Sequence, residues 1–247
     1  MPLGQSQSNP NHIAIILDGN GRWASARGLS RQEGHRAGGE ALRRLLDDVI
    51  DQGIPVLSMY AFSTENWKRP DTEVTALWGL MEEFFGKYLD VCLEKGVRIR
   101  CSGAINRIPP GPSGVLKRAM EATRDLDRLT ANFCINYGSR AEIVRACNHL
   151  IKKRSGGFFK RLRGMIQPVT ESELDAELYT AGLGDVDLLV RPGGEYRISN
   201  FLLWQCAYAE LYFTEVYWPD FDSTELNRAL EWFRSRQRRF GGLQDST

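Results

Sequence analysis

Short apolar runs alternate with longer segments of helical periodicity along this chain, and this alternation constrains the fold more than any other feature. One example is Val56–Phe62, a strand-like run that follows a helix-like segment ending at Gly53. Within that helix-like segment, Ala41, Leu45 and Val49 recur at helical spacing. Strands that alternate with helices form βαβ units, in which the strands pair in parallel and helices cover them. We therefore predict an α/β fold with a mainly parallel central sheet flanked by helices.

The predicted elements fill a single domain, as suits a chain of 247 residues. We expect the domain to span residues 12–242, between a flexible N-terminal segment (1–11) and a C-terminal tail (243–247). The predicted strands are Ile13–Leu17, Val56–Phe62, Val97–Cys101, Ala131–Tyr137 and Asp187–Val190, with a last apolar segment at Leu211–Val216. The predicted helices are Gly34–Gln52, Thr72–Lys95, Ser113–Leu126 and Thr224–Arg236, and Lys152–Gln167 is predicted to be a basic linker broken by glycines.

The composition excludes several classes of function. A net charge of +1 provides no general attraction to nucleic acid, so we expect no nucleic-acid partner. The five cysteines are odd in number and lack CxxC spacing, which indicates reduced thiols. No run of about 18 apolar residues is present, and the polar start has no apolar signal core. These features predict a cytoplasmic location and are compatible with peripheral contact at the inner face of the membrane.

Polar sequences follow four of the predicted strands. They read DGNGRWA, STENWKRP, NYGSR and RPGGEYRISN, in chain order. Ligands of open parallel sheets bind beyond the carboxyl ends of the strands. We therefore expect these four loops to converge on one edge of the sheet and to form the functional site there.

The loops carry two cationic clusters suited to phosphate groups. Arg22, Arg31 and His35 follow the glycines of the first loop, whose backbone amides can approach an anion closely. Arg191 and Arg197 form the second cluster. A glycine turn with an acid that caps a helix, or a solvated arginine face, would explain either cluster alone. Two clusters on one sheet edge instead predict two phosphorylated substrates.

Asp18 is the natural ligand for a divalent cation between such substrates. Mg²⁺ prefers one or two carboxylates, with water and diphosphate oxygens completing its shell. Glu210, an acid within an apolar run, is the second candidate ligand, although an outward-facing strand residue would look the same. Glu65 and Glu195 are further candidates, with helix caps or salt bridges as their alternatives. The sequence thus predicts Mg²⁺ as the cofactor.

The motifs HIAIILDGNGRWA, GHRAG, YAFSTENWKRP, NYGSR, RPGGEYRISNFLLWQCAYAELYFTEVYWPDF and RRFGG together resemble the cis-prenyltransferases, the family of undecaprenyl diphosphate synthase. The match runs in order from about His12 to Gly242. The resemblance implies Mg²⁺-dependent elongation of an allylic diphosphate, such as farnesyl or geranyl diphosphate, by isopentenyl diphosphate to a Z-polyprenyl diphosphate. It also implies a homodimer and a hydrophobic tunnel for the growing chain.

The same resemblance implies roles for individual residues. Asp18 and Asn66 would be catalytic, and Asp18 with Glu210 would bind the metal. Which group removes the proton stays open, because the amide of Asn66 is a poor base. The implied substrate-binding residues are Gly19, Asn20, Gly21, Arg22, Trp23, Arg31, His35, Ser63, Thr64, Glu65, Trp67, Arg69, Arg191, Arg197 and Ser199. For Trp23 and Trp67, simple packing is an equal alternative.

Three departures from the family pattern bear on these expectations. Ala104 stands where a carboxylate is usual, Pro192 replaces a common threonine, and Ser139 stands where a glycine is usual. If residue 139 needs a positive φ, the serine costs about 1 kcal/mol. Two alternatives to a complete enzyme are a non-catalytic partner subunit and a module that binds lipid diphosphates without reacting.

Three further segments carry predictions about assembly and product. The basic stretch Lys152–Gly164 would contact anionic lipid, with a solvated loop as the alternative. The terminal residues Arg238 to Gly242 would complete the site in a dimer, with a frayed helix end as the alternative. Phe84 shares a helix face with Leu80 and would plug the tunnel, with packing away from it as the alternative.

Overall fold

The computed structural model describes residues 8–155 and 168–236, and its centre is one parallel sheet. The strands are β1 (His12–Ile16), β2 (Val56–Ser63), β3 (Val97–Ser102), β4 (Leu129–Tyr137), β5 (Leu188–Arg191) and β6 (Glu210–Phe213). They lie side by side in the order β3-β4-β2-β1-β5-β6, and every pair is parallel. The predicted single α/β domain with a parallel central sheet is confirmed.

Helices connect and cover the strands. They are α1 (Asn20–Ser25), α2 (Arg31–Asp51), α3 (Asp71–Lys95), α4 (Pro110–Ala122), α5 (Ser139–Ser155), α6 (Glu171–Glu177) and α7 (Ser223–Ser235). Short 3₁₀ segments lie at Thr64–Lys68, Ile105–Arg107 and Trp218–Asp220. The five cysteines carry free thiols, as expected.

Alternate residues of each strand point to opposite faces of the sheet, so the protein has two apolar layers. On one face, β-strand residues such as Ile15 and Leu57 pack with residues of α2, α3, α4 and α7 in the larger core. On the other face, Ala14, Ile16 and Leu189 pack with Phe201 and Leu202 of the segment between β5 and β6. That segment therefore belongs to the core, although it contains no helix or strand.

Helix boundaries differ from the predictions where capping residues decide them. Helix α2 begins at Arg31 rather than Gly34, because Ser30 and Glu33 form a capping box ahead of the apolar periodicity. Helix α6, which the sequence analysis missed, begins with a capping box of Thr170 and Glu173. Helix α1 was expected to be a loop, and the strand predicted at Leu211–Val216 is shorter and begins at Glu210.

The prediction of a basic linker over Lys152–Gln167 is wrong for the first four residues of that range. Residues 152–155 continue helix α5, whose last turn carries Lys152, Lys153 and Arg154. The rest of that segment, residues 156–167, lies outside the described residues, as do residues 1–7 of the predicted N-terminal segment and residues 237–247 with the terminal motif. Within the described part of the chain, no helix has the length and apolarity needed to cross a membrane.

Candidate active site

The sheet order explains why the polar loops converge. Each of the four polar sequences follows a strand, and these four strands are consecutive neighbours in the sheet, in the order β4-β2-β1-β5. Their carboxyl ends therefore lie side by side. At the end of β2, register shifts between Tyr60 and Ser63 mark a bulge, which changes the direction of the side chains beside the site.

A cavity of about 410 Å³ opens at this edge. Its mouth is polar and contains two arginines and a carboxylate from different loops: Arg191 and Arg197 from the segment after β5, and Asp18 from the turn after β1. His35 of α2 and Arg69, which precedes α3, line the same cavity. One member of the first cluster, His35, thus lines the same opening as Arg191 and Arg197 of the second, although the two clusters lie far apart in the sequence.

The interior of the cavity is apolar. Leu77, Leu80, Met81 and Phe84 of α3 line it, and Phe133 on β4 forms part of the facing wall. Phe84 is half-buried and contacts Phe133, with a ring-centroid distance of 6.0 Å. Its ring therefore faces the lumen, and the alternative that it packs away from the cavity does not hold.

Helix α2 approaches the cavity through two glycines, Gly38 and Gly39. A Cβ at position 38 would lie 2.2 Å from Oδ1 of Asn20 and 3.0 Å from the ring of Trp218. A Cβ at position 39 would meet only Phe84, at 3.9 Å. A side chain at position 38 would therefore displace Asn20 or Trp218, whereas position 39 has room for a Cβ.

Asp18 is the centre of the charged mouth. Its Oδ2 accepts a hydrogen bond from Nη2 of Arg191 at 2.8 Å, and its Oδ1 lies 3.3 Å from Nη2 of Arg22. The side chain of Arg191 is 5% exposed, so this guanidinium is a buried charge paired with Asp18. The turn depends on Gly19, whose φ of 105° is in the left-handed region that glycine favours.

The segment after β5 is held against Arg191. Nη1 of Arg191 donates to the carbonyl oxygen of Arg197 and, at 2.9 Å, to Oγ of Ser199. The guanidinium of Arg197 is 60% exposed and pairs with Glu195. Arg197 therefore presents its charge at the mouth, while Arg191 organises the loop beneath it.

His35 stands among cations. Burial, followed by the positive charge of Arg69, lowers the pKa of His35 below its usual value, and Arg31 acts in the same direction. The neutral ring is therefore favoured. Both arginines pair with Glu73 at the start of α3, with N–O distances of 2.9 Å from Arg69 and 3.2 Å from Arg31.

The structure brings together only part of the predicted set. The predicted residues that line the cavity are Asp18, Asn20, His35, Ser63, Asn66, Arg69, Arg191, Arg197 and Ser199. Gly19, Gly21, Arg22 and Arg31 lie next to these residues without lining the cavity.

Other predicted residues make contacts away from the cavity. Nε1 of Trp23 donates to Asp220 at 2.7 Å. Thr64 and Trp67 line a separate, open cleft beside the ends of β3 and β4. Glu65 accepts a hydrogen bond from Asn200 at 3.1 Å.

Glu210 lies at the opposite edge of the sheet from Asp18. It is in register with Leu188 on β5, and Leu188 is in register with Ile13 on β1. At about 3.3 Å per residue, the end of β1 at Ile16 is roughly 10 Å further toward the carboxyl edge than Ile13, and Asp18 follows it. Glu210 instead lies 3.3 Å from Nε of Arg236, so a single chain does not bring the two predicted metal ligands together.

Two of the departures have structural consequences. The backbone of Ser139 is outside the left-handed region, so the expected strain is absent. Its Oγ instead accepts a hydrogen bond from the backbone N–H of Leu203 at 3.0 Å. Ala104 lines the open cleft rather than the cavity, and its carbonyl oxygen accepts from Nδ2 of Asn136 at 3.0 Å. The structure provides no explanation for Pro192.

Sequence reasoning missed several cavity residues. Trp218 lines the cavity, and its Nε1 donates to the carbonyl oxygen of Gly38 at 2.9 Å. Leu42, Tyr60 and the glycine pair of α2 also line it. Adjacent glycines inside an amphipathic helix were the available signal, because such residues usually mark close packing.

An arginine-rich mouth above an apolar cavity, at the carboxyl edge of a parallel sheet, suits amphiphilic ligands with an anionic head and an apolar chain. The sequence model of a protein family, described as putative undecaprenyl diphosphate synthase, matches residues 16–241 of this chain. The chain therefore belongs to this family of prenyltransferases. It is an enzyme that transfers prenyl groups, and its reaction is cis-prenyl chain elongation.

Individual relatives agree with this assignment. The chain is 48% identical to an isoprenyl transferase of Leptospira interrogans over 98% of this chain and 99% of the relative, and 47% identical to one of Heliobacterium mobile over 95% and 88%. Among solved structures, it resembles lavandulyl diphosphate synthase from Lavandula x intermedia, in complex with dimethylallyl diphosphate (TM-score 0.88, 30% identity, 95% and 99% coverage). It also resembles a probable undecaprenyl diphosphate synthase from Campylobacter jejuni (TM-score 0.78, 32% identity, 95% and 100% coverage).

Proposed function

We propose that this enzyme condenses an allylic diphosphate, such as farnesyl or geranyl diphosphate, with isopentenyl diphosphate in the presence of Mg²⁺, and that it releases a Z-polyprenyl diphosphate. One observation carries the proposal: a single cavity joins a cationic mouth to an apolar interior. The mouth suits diphosphate groups, and the interior suits an isoprenoid chain.

The two cationic clusters would bind different substrates. The allylic diphosphate would lie near the turn after β1, with Asn20, Arg22 and His35, and isopentenyl diphosphate would lie near Arg197 and Ser199. When the allylic carbon–oxygen bond breaks, the electron pair leaves with the diphosphate. Guanidinium groups already oriented at this position stabilise the developing negative charge, which lowers the barrier.

The residues present fit a magnesium ion bound largely through substrate. Asp18 lies at the mouth of the cavity with its side chain 29% exposed, and the described residues hold no group of three or more His, Cys, Asp or Glu side chains that would form a metal cage. A single carboxylate completed by diphosphate oxygens and water is the coordination that Mg²⁺ accepts in phosphate-binding enzymes. Bound there, Mg²⁺ would supply charge neutralisation for the departing diphosphate.

Asn66 would orient substrate rather than remove a proton. Its Oδ1 accepts a hydrogen bond from the backbone N–H of Ser63 at 3.0 Å, which orients the amide, and an amide oxygen is a poor base. The remaining amide nitrogen only donates, which suits an oxygen of a bound diphosphate. We therefore assign Asn66 a positioning role and leave the identity of the proton acceptor open.

Incubation with farnesyl diphosphate, labelled isopentenyl diphosphate and Mg²⁺ tests the proposal. Chromatography of the products should show chains extended by whole isoprene units. A non-catalytic partner subunit would give no product alone and would acquire activity only with a second chain. A lipid-diphosphate-binding module would retain the labelled lipid unchanged.

We also propose that the enzyme works as a homodimer joined near β6. Within the described chain, β6 ends the sheet, and Leu211 on this strand is 40% exposed. Arg236, the last described residue, contacts Glu210 on β6, so the described chain ends beside this edge. Deletion from Arg238 onward should impair isopentenyl diphosphate use more than allylic diphosphate use. Equal impairment of both would contradict a role of the tail in the isopentenyl site.

We also propose that the enzyme is cytoplasmic and that it contacts the membrane surface peripherally. Helix α5 ends in the basic residues Lys152, Lys153 and Arg154, of which Lys153 and Arg154 pair with Glu177 and Glu173. The basic, phenylalanine-containing residues that follow lie outside the described part. Each basic residue near an anionic surface contributes about 1 kcal/mol to binding. Replacement of Lys160, Arg161 and Arg163 by Glu should reduce co-sedimentation with vesicles of anionic lipid. Unchanged co-sedimentation would remove this part of the proposal.

A further inference from the structure

The loop that presents Ser199 has an unfavourable backbone conformation. Ser199, Asn200 and Leu202 have φ values of 50°, 65° and 43°, although none of them is glycine. Residues other than glycine adopt this region only where the surroundings impose it. Contacts from outside the loop must therefore hold it in this shape.

Ser139 at the start of α5 supplies two of those contacts. Its backbone N–H donates to the carbonyl oxygen of Asn200 at 2.9 Å. Its Oγ accepts from the backbone N–H of Leu203 at 3.0 Å. The next residue, Arg140, donates its backbone N–H to Oδ1 of Asn200 at 2.9 Å. The left-handed residues Asn200 and Leu202 thus lie in a segment tied to α5 at both ends.

Only one of these bonds depends on the Ser139 side chain. The two bonds from backbone N–H groups would form with glycine or alanine at position 139, whereas the bond to Leu203 requires a hydroxyl oxygen. Ser139 is fully buried, so water cannot readily replace that oxygen. On the other side of the loop, Arg191 donates to Oγ of Ser199 at 2.9 Å. Hydrogen bonds from Arg191 on one side and with the start of α5 on the other therefore hold the loop.

We propose that Ser139 is a positioning residue for the isopentenyl diphosphate site, because its hydroxyl fixes the loop that carries Arg197 and Ser199. The proposal rests on the function proposed above for these two residues. Ser139 touches neither the cavity nor the mouth; it acts through Leu203 and Asn200. The serine at a position where glycine is usual thus adds a constraint that glycine cannot provide.

Ser139→Ala tests the proposal, with Ser113→Ala as the matched control. Ser113 is also a buried serine near a helix start, but its Oγ donates to the carbonyl oxygen of Ile105, away from the loop. Ser139→Ala should raise the KM for isopentenyl diphosphate by about three- to tenfold, the range of one neutral hydrogen bond. The KM for the allylic diphosphate should stay unchanged, and Ser139→Thr, which keeps the hydroxyl, should recover part of the loss.

Amide hydrogen exchange provides a readout that does not depend on activity. Protection of the backbone N–H groups of residues 199–205 should fall in Ser139→Ala and not in Ser113→Ala. Unchanged exchange, or equal changes in the KM of both substrates, would overturn the positioning role. The parent enzyme could make no product although Ser139→Ala lowers amide protection as expected. That outcome would contradict the proposed function and would still support the role of the Ser139 hydroxyl in holding the loop.

Discussion

Acidification should destabilise the protein through His12, a buried histidine at the start of β1. Its Nδ1 lies 3.2 Å from the carbonyl oxygen of Gly184, and its Nε2 lies 2.8 Å from Oγ of Ser58. A carbonyl only accepts, so the proton belongs on Nδ1 and Nε2 accepts from the Ser58 hydroxyl. Ser58 Oγ in turn accepts from Asn132 at 2.9 Å, and Oδ1 of Asn132 lies 2.9 Å from the hydroxyl of Ser102. This chain of hydrogen bonds across four strands is complete only when His12 is neutral.

The size of the effect follows from the pKa of His12. Burial lowers it from 6.5 to about 4, and the hydrogen bond with Gly184 and the charge of Asp187 oppose this only in part. Between these pH values the unfolded chain binds the proton more readily than the folded chain does. The contribution of neutral His12 to the free energy of unfolding is therefore fully present above pH 6.5, and it is lost as the pH falls toward 4. The difference between the pKa of His12 in the unfolded chain and in the folded chain corresponds to about 3 kcal/mol in the free energy of unfolding, at 1.36 kcal/mol per pH unit.

Urea denaturation at a series of pH values between 7.5 and 4 measures this loss. The free energy of unfolding of the parent should fall by about 3 kcal/mol more than that of His12→Gln, because other titrating groups contribute equally to both. His149→Gln is the control, since His149 is half-exposed and lies outside the buried chain. Parallel curves for the parent and His12→Gln would refute the reasoning, because His12 would then not be held neutral by the fold.

Three further substitutions test the site. Asp18→Ala should nearly abolish turnover at saturating Mg²⁺, because several kcal/mol of charge stabilisation are lost; near-parental kcat would contradict this. Phe84→Ala should lengthen the products seen by chromatography, because it opens the apolar end of the cavity, and unchanged lengths would place the limit elsewhere. Gly38→Ala should lower the free energy of unfolding by about 1–3 kcal/mol, since its Cβ would lie 2.2 Å from Oδ1 of Asn20. Gly39→Ala is the matched control and should be neutral or stabilising by up to about 1 kcal/mol; equal effects of the two changes in denaturation would refute the packing argument.

The parallel sheet and the edge that carries the site were predictable from the sequence. Apolar runs such as Val56–Phe62 and helical repeats such as that of α2 are local patterns, and each specifies its own element. The rule that ligands bind at the carboxyl ends of parallel strands then places every polar loop at the same edge, whereas the strand order decides which loops are neighbours. Local chemistry also selected Asp18, Arg191 and Arg197 as candidates, because two cationic clusters and an acid on one sheet edge suit phosphorylated substrates, and all three residues line the cavity.

The positions of individual side chains were decided only by the tertiary structure. Glu210 and Asp18 belong to opposite ends of the sheet because the register of β6 on β5 depends on packing between distant segments. Ser139 was expected to be strained only if its φ were positive, which it is not; the segment after β5 instead packs on it, and its hydroxyl oxygen accepts a hydrogen bond. A Cβ at position 38 would displace the side chains of Asn20 and Trp218, whereas a Cβ at position 39 has room, and this difference appears only in the folded chain. A local pattern fixes an element and its exposed side, whereas contacts between segments far apart in the chain determine which atoms meet, and these contacts exist only in the folded chain.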